Sequence, residues 1–228
     1  MQLQIALDRL SLDDALRLAT SVQQYTDWIE VGTSLIKEFG MESVRRMRQA
    51  LPTTKVLADI KTNDNARYEF EMCYAAGADS ATVMGTAPDA TIDTCVSIAR
   101  QQGKEVMIDL LATSQERQQA LTKYREAIFE VHVSKDVQES GAKGTAPLVS
   151  QLPNWAGERK VAIAGGVSLN DIPALGARLP GVRVIVGSAI TQAHDPVAAA
   201  RAFAAALEPF RQQKERSRWE RSKPSYRK

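Results

Sequence analysis

The stretch "LQIALDRLS" (residues 3–11) decides between two α/β architectures. It reads as a short apolar strand, a polar turn, and a helix start at Ser11 with Asp13 and Asp14 in the first turn. Ser is a favoured N-cap, and acids suit the positive end of a helix dipole. A doubly wound open sheet carries a glycine-rich turn after its first strand. Here Asp8, Arg9 and Leu10 fill that turn without a glycine. Seven further runs repeat the pattern: "WIEVGT" (28–33), "KVLADI" (55–60), "SATVMG" (80–85), "EVMIDLL" (105–111), "FEVHVS" (129–134), "KVAIAGG" (160–166) and "VRVIVGSA" (182–189). Most are rich in Val and Ile, as parallel strands covered on both faces should be. The spacers are amphipathic, and "DPVAAARAFAAALEPF" opens at Asp195 with Pro196 at the first helical position. Eight strand–helix units within residues 1–210 predict a single (β/α)8 barrel, on the short side of the roughly 250 residues usual for that fold.

The bulk properties agree. The chain has 228 residues, 44% of them hydrophobic and 25% charged, which suits one ordinary globular domain. No window approaches the roughly 20 apolar residues of a membrane span, and with no basic-then-apolar segment visible in "MQLQIALD" a secretory signal is not expected. Cys73 and Cys95 are too few for a disulfide framework and wrongly spaced for zinc, so reduced thiols in a cytoplasmic protein are expected. The net charge of +2 is uneven: residues 211–228 carry eight Lys/Arg and two Glu, leaving −4 on the rest. That segment lacks an apolar period and is expected to be a flexible basic tail or a solvated extension of the last helix. It is a weak basis for binding nucleic acid, which is not an expected partner.

Barrels place their active sites at the C-terminal ends of the strands. Those ends supply Asp8, Glu30, Asp59 with Lys61, Asp109 and His132, then Gly165–Gly166 and Gly187–Ser188. Residues i and i+2 of a strand share a face, so Asp59 and Lys61 point the same way. Glu30 holds the matching place on the preceding strand. Two such carboxylates suit Mg²⁺, a hard ion that takes oxygen ligands and keeps several waters. Lys61 adds a second cationic centre, and the set suits a reaction that builds negative charge on two neighbouring oxygens, as an enediolate does. The glycine pairs of the seventh and eighth strands lie where barrels commonly hold phosphate.

"ADIKTND" (58–64) carries the D-x-K-x-x-D pattern of the orotidine 5′-phosphate decarboxylase suprafamily, and the resemblance runs from Leu3 to Glu208. Within it, "LQIALD", "IEVGTSLIKEFG", "LADIKT", "APDATI", "VMIDLL", "AIAGGVSL" and "VGSAIT" resemble the 3-hexulose-6-phosphate synthases, with the 3-keto-L-gulonate-6-phosphate decarboxylases next. The resemblance implies a Mg²⁺-dependent aldolase that joins formaldehyde to ribulose 5-phosphate, working as a homodimer with shared active sites. Glu30 and Asp59 would bind Mg²⁺, Lys61 would stabilise the enediolate, Asp8 would orient Lys61, His132 would be the acid/base, and Asp64 would reach into the partner's site. Asn63, Asn65 and Ala66 depart from the synthase pattern, as does "VSKDVQESG" (133–141), in which Lys135 matches a decarboxylase arginine. Against the decarboxylase stand Asp109 and Ser188, where it carries Glu and Arg. "KTNDNA" lacks the Ile-Pro of an orotidylate decarboxylase, and no histidine precedes His132 to serve a pentulose-phosphate epimerase. A phosphate-binding barrel without catalysis is the remote alternative.

Overall fold

The computed structural model describes residues 1–139 and 148–221. Eight parallel strands, β1 (Gln2–Leu7), β2 (Trp28–Val31), β3 (Lys55–Thr62), β4 (Ser80–Met84), β5 (Glu105–Asp109), β6 (Ile128–His132), β7 (Lys160–Ala164) and β8 (Arg183–Val186), close into a barrel in sequence order. β8 pairs back onto β1 with Gln4 opposite Ile185, so the sheet has no free edge. Every run expected from the sequence is a strand.

Helices cover the outside. α1 (Leu12–Val22) begins at Ser11, whose hydroxyl accepts from the Asp14 N–H as a capping residue should. α2 (Thr33–Phe39), α3 (Met41–Ala50), α4 (Ala66–Ala75), α5 (Asp89–Gln101) and α6 (Gln115–Leu121) follow in turn. α7 (Lys135–Glu139), α8 (Ile172–Arg178), α9 (Ser188–Thr191) and α10 (Pro196–Arg221) complete the ring. Asp195 caps α10 by accepting from the Ala198 N–H at 2.9 Å. The expected boundary at residue 210 falls inside α10. Phe210 packs so closely on α8 that a Cβ at Gly176 would lie 2.4 Å from its ring, and Arg211 pairs with Asp27 at 2.6 Å. Of the expected tail, residues 222–228 lie outside the described residues.

Period-2 alternation divides the strand residues between two cores. Leu3, Ile5, Ile29, Val56, Ile108 and Phe129 point outward under the helices. Ala6, Trp28, Leu57, Met107, Ile128, Ala162 and Ile185 fill the barrel interior. The step after each interior apolar residue sets the site. Trp28 is followed inward by Glu30, Leu57 by Asp59, Met107 by Asp109, and Ile128 by Glu130 and then His132. The fold thus turns a strand alternation into a ring of inward polar groups above an apolar plug.

Among the described residues no helix is long and apolar enough to cross a membrane. Cys73 and Cys95 are both free and buried, and burial pushes each thiol up to about 12. They are poor nucleophiles at neutral pH.

Candidate active site

The ring is organised around the Lys61 ammonium. Its Nζ lies 2.8 Å from Asp109 Oδ2 and 3.1 Å from Asp59 Oδ2. The backbone bends to put it there. Lys61 has φ +50°, and the β3–β4 register shifts between Ala58 and Thr62. A non-glycine residue at positive φ costs on the order of 1 kcal/mol, and such strain gathers at functional sites. Thr82 on β4 secures the bend, because its hydroxyl accepts from the Lys61 N–H at 2.8 Å and donates to Asp59 Oδ1 at 2.8 Å. Thr33 donates to the other Asp59 oxygen at 2.5 Å.

Asp109 is fully buried and has a second partner, His132 Nδ1, at 3.1 Å from the same Oδ2. An Nδ1–H donated to this carboxylate leaves Nε2 as the basic atom of the ring. Burial alone would raise Asp109, but the hydrogen bond from His132 and the charge of Lys61 outweigh it and bring its pKa down to about 2. Burial also opposes the charge on Lys61, yet Asp59, Glu130 and Asp109 together hold the ammonium firmly protonated.

Two acids sit less comfortably. Glu30 is buried with Gln4 Nε2 donating to it at 2.5 Å, and burial followed by the nearby Asp59 charge raises its pKa well above the carboxylate range. Glu130, 3.9 Å from His132 Nδ1, is raised likewise by burial and then by Asp109, against a partial offset from Lys61. Four buried carboxylates therefore face one ammonium at this end of the barrel.

Residues 1–203 match the model of the orotidine 5′-phosphate decarboxylase / HUMPS family. The chain belongs to that family. A 3-hexulose-6-phosphate synthase of Staphylococcus aureus (strain bovine RF122 / ET3-1) is 37% identical over 212 residues, covering 91% of this chain and 99% of the relative. A crystal structure of a 3-hexulose-6-phosphate synthase superposes with TM-score 0.81 at 38% identity, covering 90% of this chain and 99% of that one. A 3-keto-L-gulonate-6-phosphate decarboxylase of Vibrio cholerae superposes with TM-score 0.80 at 28% identity, covering 92% and 98%.

Membership in the decarboxylase / HUMPS family leaves each expected site residue to be located. Glu30, Asp59, Lys61, Asp109 and His132 converge inside the barrel mouth. Asp8 does not join Lys61. Its Oδ1 accepts from the Ser34 N–H at 3.0 Å and the Ser34 hydroxyl at 2.7 Å, in space that a Cβ on Gly32 would fill. Asp64 is exposed and accepts from the Asn65 N–H at 2.7 Å. Lys135 is exposed and faces Glu139 at 3.8 Å. Gly165 and Gly166 have φ +95° and +73°, and a Cβ at Gly165 would lie 2.4 Å from the Val133 carbonyl, so only glycine fits this turn. Gly187 and the exposed Ser188 end the neighbouring strand beside them. Sequence reasoning missed Glu130, Thr82, Thr33 and Gln4. The first is two residues before His132, so the face-sharing rule applied to Asp59 and Lys61 would have found it.

The donors fit a hard divalent cation. Glu30 and Asp59 offer oxygens on adjacent strands, and the excess of buried negative charge is what such an ion would neutralise. Asp109, Glu130 and His132 also have ligand atoms within 4.8 Å of one another, but Lys61 and the His132 ring already occupy the same Asp109 oxygen.

Glu130 has a testable thermodynamic signature. An acid whose folded pKa is raised binds more protons in the folded than in the unfolded state, so its stability contribution is complete below its unfolded pKa and is lost as pH rises toward the folded value. Glu130→Gln removes that slope. Its melting temperature should exceed that of the parent at pH 8, and by a smaller margin at pH 5. An equal difference at both pH values in scanning calorimetry would contradict the buried-acid reading.

Proposed function

We propose that this chain is an aldolase that condenses formaldehyde with D-ribulose 5-phosphate to give 3-hexulose 6-phosphate, reversibly. The observation that carries the reading is the Lys61–Asp109–His132 relay, which sets a charged donor and a tautomer-fixed base side by side at the mouth of a barrel of this family. The identity to 3-hexulose-6-phosphate synthases supports it, as does the presence of both expected acids on β2 and β3.

Glu30 and Asp59 would hold Mg²⁺, which when bound supplies positive charge beside two neighbouring substrate oxygens. Gly165, Gly166, Gly187 and Ser188 would receive the 5-phosphate at the ends of β7 and β8. Nε2 of His132 takes a proton from C1 of ribulose 5-phosphate, and Asp109 steadies the imidazolium that forms. Lys61 donates an N–H to the developing oxyanion without moving, since Asp59 and Asp109 fix it beforehand. The enediolate carbon attacks the formaldehyde carbon, and the new alkoxide takes a proton back from His132. Low water access at these buried groups favours each of these interactions. In a homodimer, Asp64 would complete the partner's site.

A second reading, decarboxylation of 3-keto-L-gulonate 6-phosphate, draws on the likeness to the Vibrio cholerae enzyme and on Lys135. It is the weaker one, because the Lys135 amine faces Glu139 on its own helix. Formaldehyde consumption with ribulose 5-phosphate, measured beside CO₂ release from the keto-acid phosphate, separates the two readings. His132→Gln should lower the favoured turnover by about 10²–10⁴, the usual span of acid–base catalysis. Exchange of the C1 proton with deuterated water should fall in parallel. Unchanged exchange in a folded variant would remove His132 from the mechanism.

Mg²⁺ should raise the melting temperature of the parent chain, because a ligand of the folded state stabilises it by mass action. Asp59→Asn should abolish most of that shift. A shift that survives the substitution would place the ion elsewhere.

Inactive Lys61→Ala subunits mixed with inactive Asp64→Asn subunits should recover activity, since a hybrid dimer holds one site with both residues intact. Subunit exchange without recovered activity would refute the shared site.

A further inference from the structure

The opposite end of the barrel holds a cavity of about 640 Å³, within the range of small-molecule sites. It opens among the N-terminal ends of β5 to β8 and the loops that lead into them. Arg125, Arg159, Lys160, Arg178 and Arg183 line it, against two carboxylates, Glu105 and Glu158. The N-terminal face of a barrel ordinarily serves stability. Converging cations serve it badly, because like charges repel.

The partners of these side chains cancel only part of the charge. Arg183 forms the base, 4% exposed, stacked 3.9 Å from the Trp28 ring centroid and paired with Glu105 at 2.8 Å. Arg159 donates to the Thr122 carbonyl at 3.1 Å and Lys160 to the Glu126 carbonyl at 3.3 Å. Carbonyls satisfy hydrogen bonds without cancelling charge, and the Glu126 carboxylate, paired directly with Arg100, offsets Lys160 only in part. Arg125 and Arg178 are exposed and have no side-chain partner among the described residues. The basic C-terminal segment has the same sign as the cavity and is no counter-ion for it.

We propose that this floor cavity binds a polyphosphate anion, pyrophosphate or the phosphate chain of a nucleoside di- or triphosphate. Planar guanidinium groups match phosphate oxygens two at a time, and several of them around one cavity suit an anion of more than one charge. Its apolar lining, Ile128, Val161, Leu179 and Val182 among it, gives a base or sugar a surface to rest on. The site is also wired to the catalytic end. Arg183 Nη1 reaches Gln4 Oε1 at 3.4 Å, and Gln4 Nε2 donates to Glu30 at 2.5 Å. An anion that draws on Arg183 therefore acts on the side chain that holds Glu30.

Calorimetric titration of the full chain with pyrophosphate, and separately with ADP, tests this at low ionic strength with saturating ribulose 5-phosphate present to fill the catalytic phosphate site. Saturable binding is expected, weakening as salt is added. Arg125→Ala/Arg178→Ala should weaken it at least about tenfold, because two charge-assisted contacts are lost. These side chains are exposed and far from the mouth, so the variant should fold and keep its basal activity. Tighter binding of ADP than of pyrophosphate would identify a nucleotide as the occupant, and equal binding the phosphate chain alone. Absence of saturable binding to the parent, or equal binding to parent and double variant, would overturn the proposal. Weaker binding to the double variant stands whichever reaction the catalytic end performs, because both substitutions lie at the floor.

Discussion

The ammonium of Lys61 is the constraint on which the catalytic end depends. Four carboxylates are buried in one barrel mouth, and each would be costly there without a compensating charge. Lys61 touches two of them directly, and its field lowers the penalty on a third, Glu130. Removing one partner of a buried pair commonly costs 3–5 kcal/mol, roughly, because the other is left uncompensated. The strained φ at Lys61 is small beside that. The bulge in β3 is therefore the cheaper arrangement, and Thr82 makes it permanent by satisfying the displaced N–H.

The compensation is incomplete, and this gives the site its chemistry. Asp109 ends with its pKa near 2 because it holds two donors, Lys61 and His132. Glu30 and Glu130 are pushed the other way. Groups of one chemical type are thus driven apart by position alone, the usual mark of a site that handles protons and cations. A fixed anion at Asp109 orients the histidine, while at Glu30 burial and the Asp59 charge disfavour ionisation unless a cation is near.

Much of this was legible in the sequence, for a physical reason. Parallel strands buried on both faces must be apolar, so Glu30, Asp59, Lys61, Asp109 and His132 stood out against their surroundings, and strand polarity placed them at one end. The same reasoning could have reached Glu130, which sits mid-strand and looks like an interruption. Thr33, Thr82 and Gln4 were hidden, because an uncharged polar residue near a strand is unremarkable until its partner is known. Asp8 shows the opposite error: it belongs to the right end of the right strand, but Ser34 on the neighbouring unit takes its carboxylate. That preference depends on the open space over Gly32, a tertiary fact. The run of α10 past residue 210 matches the expected extension of the last helix. Composition changes at Arg211, yet helical hydrogen bonding and the Asp27 pair carry α10 past it.

Arg183 joins the two ends of the molecule into one electrostatic column. From the floor upward, Glu105 pairs with Arg183, Arg183 reaches Gln4, and Gln4 holds Glu30. Arg183 also eases the charge on Glu130 from below, as Lys61 does from its own side. Its own charge is disfavoured by burial and sustained by Glu105. Trp28 supplies a ring face for the guanidinium, so one interior residue serves the apolar plug and the cation together. A single side chain, Gln4, links Arg183 to Glu30 along this column. A charge held at the floor is therefore felt by the acids at the mouth through a short path of low dielectric, where fields are weakly screened. Arg183 thus offsets negative charge at both levels, pairing with Glu105 beside it and easing Glu130 above it.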